Sequence, residues 1–323
     1  MSTPHRGADA PFGLVVNPTS ALGRGRRVAE RVRRRLEATG VHAVVISGGD
    51  AGDCSARIAA AARDGLRGLI LVGGDGLLGL ALQLAEVREL PLGIVPAGSG
   101  NDFARQFRLP GRPRAALARI LSAIESPRPV DLGVVTRPDP ERPGEVATTW
   151  FAGGLSVGFD AAINRRANDL RLPLGPLRYQ LALLGEIVAL RPRRFSVDVD
   201  PVPGAATKHG PGGIRRTREF AGLLATVMNI GSLGGGIPIA PDADASDGQL
   251  DLVEVIAVTR PRLLSVLGVL ARGRHGALPE VRFTRGTGFT IDAPGEVAYA
   301  DGERVGSGPF RVTVAPGALR LLA

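Results

Sequence analysis

Two glycine-rich turns, each carrying an aspartate, are the first residues in this chain that could do chemistry. One is Gly73-Gly74-Asp75-Gly76, directly after the apolar run Leu69–Val72. The other is Pro96-Ala97-Gly98-Ser99-Gly100-Asn101-Asp102, directly after Leu92–Val95. Glycines let successive backbone N–H groups converge on a phosphate, and the N-terminus of a following helix adds positive potential. A carboxylate inside such a turn repels a bare phosphate, so it makes sense if it holds a divalent cation that bridges to phosphate. Either turn alone reads more simply as a tight strand-to-helix connection. Two in succession, each with an aspartate, point to nucleotide phosphate binding.

The elements that must position these turns form an alternating series. The apolar run Phe12–Val16 leads into Asn17-Pro18-Thr19-Ser20. Val28, Val32 and Leu36 then recur at one helical face, and Gly40 is a stop signal. Val41–Ile46, Leu69–Val72 and Leu92–Val95 read as further strands, with helices over Ala51–Arg63, Leu77–Glu86 and from near Asp102. Continuous apolar strands separated by helices predict a parallel sheet covered on both faces, with ligands at the carboxyl ends of the strands. After Pro129 the strands alternate, as in Phe195, Val197 and Val199 interleaved with Ser196, Asp198 and Asp200. Strand signals over Thr148–Val157, Phe220–Ile230, Leu250–Ile256 and Arg311–Val314 predict an antiparallel second domain. Helices interrupt it near Asp160–Asn168, Leu177–Leu190 and Arg262–Arg272. The expected class is α/β: an N-terminal doubly wound nucleotide-binding domain over residues 1–130, followed by a C-terminal antiparallel, β-rich domain.

Composition removes several classes of enzyme. Of 40 basic residues among 323, only Lys208 is a lysine. A Walker-A loop and a protein kinase each need a lysine that Lys208, in the Pro/Gly-rich stretch Pro201–Gly213, does not provide. The lone Cys54 makes neither an internal disulfide nor a cysteine zinc site, and reads as a small buried packing group. The +9 formal charge invites a nucleic-acid or anionic-membrane partner. With 4% aromatic residues and no recognition motif, nucleic acid is not the expected partner. No secretory signal is visible, and the uncharged stretch Phe220–Pro241 is broken by glycines and prolines, so a cytoplasmic protein is expected.

Taken together, the motifs resemble the diacylglycerol kinase catalytic-domain family, which also includes sphingosine and ceramide kinases. The matching segments are Asn17-Pro18-Thr19-Ser20, Gly73-Gly74-Asp75-Gly76, Pro96–Arg105, Asp131-Leu132-Gly133, Asn229 with Gly234–Gly236, Pro241–Asp251 and Asp301-Gly302-Glu303. They occur in the family's order over nearly the whole chain, and PAGSGNDFAR is the most specific of them. The resemblance implies an ATP- and Mg2+-dependent lipid kinase whose second domain, over 131–308, is a C-terminal antiparallel β-sandwich, with a segment 309–323 returning to the first domain and a cleft between the two. Diacylglycerol in the membrane would be the acceptor and phosphatidate the product. It implies that Asn17, Ser20, Gly73, Gly74, Asp75, Gly76, Leu77, Ser99 and Asn101 line the nucleotide phosphates. Asp75, Asp102 and Asp131 would form an acidic Mg2+-linked network. Asp301 would be the general base, Glu303 would support metal or phosphates, and Asp244, Asp247 and Gln249 would hold a structural Mg2+. Either Asp301 or Asp75 could serve as the base. A homodimer is among the expectations.

Alternatives remain open on the residues themselves. Asp301-Gly302 and Asp247-Gly248 also read as hairpin turns, and Asp131 as an ordinary strand-edge residue. Leu77 stands where the family usually has Thr, and Gly79-Leu80 where it has Asn-Glu, which puts nucleotide preference or rate in question but not the fold. Sphingoid-base or ceramide kinases, an NAD-kinase-like enzyme and a non-catalytic nucleotide- or lipid-binding relative are the competing functions. Seven arginines over Arg24–Arg35 read as a solvated helix face. Arg165, Arg166, Arg171, Arg178, Arg191, Arg193 and Arg194 flank the apolar segment Leu172–Leu190, which suits either a core helix or docking on an anionic bilayer.

Overall fold

The computed structural model describes residues 10–16, 25–170, 177–200 and 216–323. They form two compact units. The first comprises Met1–Asp131, Gly234–Gly236 and Pro316–Ala323; the second comprises Leu132–Leu233 and Ile237–Ala315.

In the first unit, β1 (Phe12–Val16), β2 (Ala43–Ile46), β3 (Gly68–Gly73) and β4 (Pro91–Pro96) lie parallel in the order β2-β1-β3-β4. Every residue of β1 and β3 is buried, because helices cover both faces. α1 (Gly25–Glu37) and α6 (Pro113–Ser122) bring Val32, Leu36, Leu117 and Ile120 against Leu14, Val16, Ile70 and Val72. α2 (Ala51–Gly65) covers the other face with Ile58 and Ala62. Arg27, Arg31, Arg34 and Arg35 of α1 face solvent, and Arg33 and Arg34 pair with Glu30 one turn away. Strand order reverses between β1 and β3, the switch point at which open α/β sheets place their ligands.

The helix expected over Leu77–Glu86 is instead two: α3 (Asp75–Leu82) and α4 (Ala85–Arg88). Tight bonds from Gln83 N–H to Leu80 O and from Leu84 N–H to Ala81 O close α3 early. α5 (Asp102–Gln106) follows β4.

β5 (Arg128–Pro138) carries the chain into the second unit, where β6 (Val146–Phe151), β7 (Gly154–Gly158), β8 (Arg193–Asp200), β9 (Arg216–Met228), β10 (Leu250–Ile256), β11 (Val281–Gly286), β12 (Gly288–Asp292), β13 (Val297–Ala300) and β14 (Glu303–Ser307) pair antiparallel. Long β9 is the hinge of this arrangement. Its first half pairs with β8, and its second half with β10 on one side and β7 on the other. Phe195, Val197, Val227, Leu252, Phe289, Ile291 and Phe310 fill one core. On the other side, α7 (Phe159–Asp169), α8 (Leu177–Val188) and α9 (Arg260–Leu270) accompany a second cluster built on Phe159, Met228, Val253 and Leu263. β15 (Phe310–Leu321) pairs first with β12 and, at its end, with β4, so the chain finishes in the first unit.

The single strand expected over Thr148–Val157 is broken at Ala152-Gly153 into β6 and β7, where the main-chain N–H groups bond to Asp301. Phe220–Pro241 is a strand followed by a glycine loop. Among the described residues no helix is long and apolar enough to cross a membrane.

Candidate active site

The two glycine turns touch backbone to backbone. A Cβ on Gly74 would lie 2.8 Å from Gly98 Cα, and one on Gly98 would lie 2.6 Å from Gly74 Cα. Any side chain at either position would drive the turns apart. Ala97 N–H donates to Gly73 O at 2.9 Å and keeps the strands in step up to the turns. Asn101 sits in the left-handed region at φ 54°. Its Oδ1 accepts Gly98 N–H at 3.0 Å and its Nδ2 donates to Gly98 O at 2.7 Å. Asn101 therefore shapes the loop from within, and Gly98 N–H is already used. Ser99 is exposed at the tip, and the space a Cβ on Gly76 would occupy is open. Leu77 is different from its expected role. It is buried, and a Cβ on Gly73 would meet its side chain at 2.7 Å. It packs beneath the turn and supplies no polar contact. Asn17 and Ser20 lie outside the described residues.

Two carboxylates converge on this loop. Asp75 accepts the backbone N–H groups of Asp102 and Phe103, each at 3.1 Å. Asp102, buried, accepts Arg105 Nη1 at 2.6 Å and Gly235 N–H at 2.7 Å. A Cβ on Gly100 would sit 2.9 Å from Asp75 Oδ2 and 3.5 Å from Asp102 Oδ2, so both acids look onto the same glycine. Gly234, Gly235 and Gly236 all have positive φ, and the bridge Leu233↔Ile237 closes the hairpin that carries them. Three left-handed residues in a row explain the glycine run. Mg2+ is commonly held by one or two carboxylates together with substrate phosphates, and the Asp75–Asp102 pair fits that donor set.

Arg105 closes the PAGSGNDFAR segment. It stands one helical turn after Asp102, half-exposed, and its Nη2 also donates to Gly100 O at 3.0 Å. The i, i+3 spacing was the signal. Arg105 thus places a cation at the glycine loop.

The other expected metal ligands make bonds within the protein. Among the described residues no three His, Cys, Asp or Glu side chains gather as a metal site, and Asp131 bonds to the main chain. Its Oδ1 accepts Gly317 N–H at 2.7 Å, tying β5 to the returning end of the chain. Asp247 Oδ1 accepts Gln249 N–H at 2.9 Å, and Asp244 Oδ1 accepts Ser246 Oγ at 2.6 Å. These are local turn bonds ahead of β10. Arginine neutralises the same loop: Arg285 Nε reaches Asp251 at 2.9 Å and its Nη2 reaches Asp242 O at 2.5 Å. Burial pushes the Asp251 carboxyl above its ordinary range, against the pull of Arg285. Asp244, Asp247 and Gln249 thus form the turn ahead of β10.

In the second unit, Asp301 and Gly302 form the two-residue loop between β13 and β14, both with positive φ. The hairpin reading is therefore correct in form, yet the carboxylate does far more than turn the chain. Oδ2 accepts Ala152 N–H at 2.8 Å, and Oδ1 accepts Gly153 and Gly154 N–H at 2.8 and 2.9 Å. This is what breaks β6 from β7: those N–H groups turn to Asp301 instead of a neighbouring strand. A Cβ on Gly153 would lie 2.7 Å from Asp301 Oδ1, so the close approach needs glycine. Buried Asn229 braces the same turn, with Nδ2 donating to Ala152 O at 2.9 Å and its N–H to Gly153 O at 2.8 Å. Glu303 is exposed beside the loop and makes no ion pair among the described residues.

Known proteins match this arrangement. The family described as the diacylglycerol kinase catalytic domain matches residues 11–135, and the YegS C-terminal NAD kinase beta sandwich-like domain matches residues 153–323. A diacylglycerol kinase of Mycobacterium tuberculosis (strain ATCC 25618 / H37Rv) is 35% identical over 311 residues, covering 95% of this chain and 93% of that protein. The solved structure of a diacylglycerol kinase from Bacillus anthracis str. Sterne is similar in fold, with TM-score 0.66, 16% identity and coverage of 98% and 97% of the two chains. Yeast NADH kinase shares the fold more distantly, at TM-score 0.55 and 9% identity over 99% of this chain and 87% of that one. The two matched domains, and the identity sustained along almost the whole length, show that this chain belongs to the diacylglycerol kinase catalytic-domain family of lipid kinases.

Proposed function

We propose that the protein transfers the γ-phosphoryl group of ATP to the free hydroxyl of diacylglycerol, giving phosphatidate and ADP. The observation that carries this reading is the joined pair of glycine turns, with Asp75 and Asp102 both facing Gly100. Phosphoryl transfer is mostly positioning and charge neutralisation, and these turns supply both. Backbone N–H groups and Arg105 would bind the phosphates. A Mg2+ ion held by Asp75 and Asp102 would supply neutralisation of the phosphate oxygens when bound. Asp301, fixed by three main-chain donors, would take the proton of the acceptor hydroxyl as its oxygen bonds to phosphorus and the bond to ADP breaks. ATP as donor supports a cytoplasmic reaction, at the inner face of the membrane where the acceptor would reside.

The test is incubation with labelled ATP, Mg2+ and mixed micelles of diacylglycerol, sphingosine or ceramide, alongside Asp301→Asn. Label entering phosphatidate and lost in Asp301→Asn is the expected result. Label entering only a sphingoid or ceramide product would replace the acceptor. No labelled lipid despite measurable ATP binding would overturn the enzymatic reading.

A further inference from the structure

The short hairpin after β9 carries only two side chains, and both are apolar. Leu233 and Ile237 sit opposite each other: Leu233 N–H donates to Ile237 O and Ile237 N–H to Leu233 O, each at 3.0 Å. Residues paired in this way project to the same side. Gly234, Gly235 and Gly236 make the turn between them, so no other side chain of the hairpin screens the pair.

Leu233 lies beside the Asp301 carboxylate. A Cβ on Gly153 would stand 2.7 Å from Asp301 Oδ1 and 2.8 Å from Leu233 Cδ2. Both atoms crowd one point, so a leucine methyl is the neighbour of a carboxylate oxygen. Other apolar side chains hold the leucine in place. A Cβ on Gly154 would meet Leu233 Cδ1 at 3.1 Å and the Met228 sulfur at 2.8 Å, and Ile230 Cδ1 lies 3.6 Å from the Gly153 position. Met228 and Ile230 are buried, Leu233 is half-buried and Ile237 is 45% exposed. An apolar strip therefore runs from the core, through Leu233 at Asp301, to the surface at Ile237. A single exposed isoleucine is ordinary on a protein surface. One that ends a strip beginning at a general base is placed to touch whatever that base serves.

We propose that Leu233 and Ile237 determine acceptor specificity. The carbons next to the reacting hydroxyl rest on these two side chains, which select a neutral lipid alcohol over one with a charged amine beside its hydroxyl. The inference rests on the reading of Asp301 as the base of a lipid kinase. Diacylglycerol carries only neutral groups next to its hydroxyl, whereas a sphingoid base carries a protonated amine on the adjacent carbon. An ammonium brings three donors and no acceptor, and Leu233 and Ile237 offer it no partner. Stripping it of water against them is unfavourable. The Asp301 carboxylate is engaged by the N–H groups of Ala152, Gly153 and Gly154 and, in the reaction, by the hydroxyl.

Acceptor kinetics of the full chain test it, with ATP, Mg2+ and diacylglycerol varied in mixed micelles. Ile237→Asp, at an exposed position, should raise KM for diacylglycerol about tenfold, with kcat and KM for ATP within about twofold of the parent. Leu233→Ala reaches the same surface by truncation and should raise that KM by about the same factor. Ile237→Leu, which keeps the apolar contact, should restore the parent KM. Sphingosine added as a competitor should inhibit Ile237→Asp at least about tenfold more strongly than the parent, because the new carboxylate gives its amine a partner. An unchanged KM for diacylglycerol in Ile237→Asp and Leu233→Ala, a fall in kcat alone, or equal inhibition by sphingosine overturns the proposal. In each of those cases phosphorylation of diacylglycerol by the parent chain leaves the kinase reading standing. A parent chain that phosphorylates no lipid removes the kinase reading itself, and the acceptor assignment with it.

Discussion

Asp75 Oδ2 accepts the backbone N–H of Asp102 at 3.1 Å, so the acid of one glycine turn caps the helix that leaves the other. The bond makes the two turns one object. It also points a carboxylate at the loop where phosphate would lie, and aims the second acid, Asp102, at the same glycine.

Gly98→Ala should separate the turns. The new methyl would stand 2.6 Å from Gly74 Cα, and backbone cannot rotate away as a side chain can. A loss of about 1–3 kcal/mol in stability is expected, with ATP affinity falling at least about tenfold. Urea unfolding and calorimetric titration with ATP read the two effects. Wild-type affinity for ATP in this variant would mean that the turns do not bind phosphate.

Arg105→Ala should raise KM for ATP and lower kcat, because it removes a cation and loosens Asp102 together. Lysine can restore the charge but not two directed bonds, so Arg105→Lys should recover only part of the activity. Steady-state kinetics with varied ATP distinguish the outcomes.

Asp301→Asn replaces one acceptor oxygen by a donor facing main-chain N–H groups. Lipid phosphorylation should fall by about 10²–10⁴-fold, with ATP binding unchanged. Gly153→Ala presses on the same carboxylate from 2.7 Å and should mimic part of that loss. Activity within a few-fold of wild type in Asp301→Asn would assign the base elsewhere.

Asp247→Ala separates a turn from a cation site. Loss of the Gln249 N–H bond should cost about 1 kcal/mol of stability, by the same amount with Mg2+ or with chelator. A destabilisation that appears only in Mg2+ would assign a bound cation to this loop.

Arg218→Ala should show a pH-dependent penalty. Glu254 is buried beside Arg218 at 2.7 Å, and burial pushes its carboxyl above the ordinary range. A raised carboxyl takes up a proton more readily in the folded state. Its stabilising contribution is therefore complete at acid pH and lost as pH rises through the folded value. Among the described residues the buried charge then keeps only Arg282, 3.9 Å away. The variant should lose about 2 kcal/mol at neutral pH and less at acid pH, which thermal unfolding at neutral and acid pH would show.

The sequence determined what local rules can carry. Periodicity placed the parallel strands and the helices of the first unit, because apolar spacing follows the pitch of each element. The glycine turns were legible because glycine marks close backbone approach, and Asp301-Gly302 announced its hairpin. What each acid does was decided only by the tertiary structure. Asp75 finds its donors 27 and 28 residues away, Asp301 reaches Ala152 across 149, and Asp131 reaches Gly317 across 186. Such partners depend on strand register and on which backbone N–H a neighbouring strand leaves unpaired, and neither is written in the spacing of residues. The same holds for Leu77 beneath its turn and for Glu186, buried on α8: burial is a property of the packed layers, and only the folded chain assigns it.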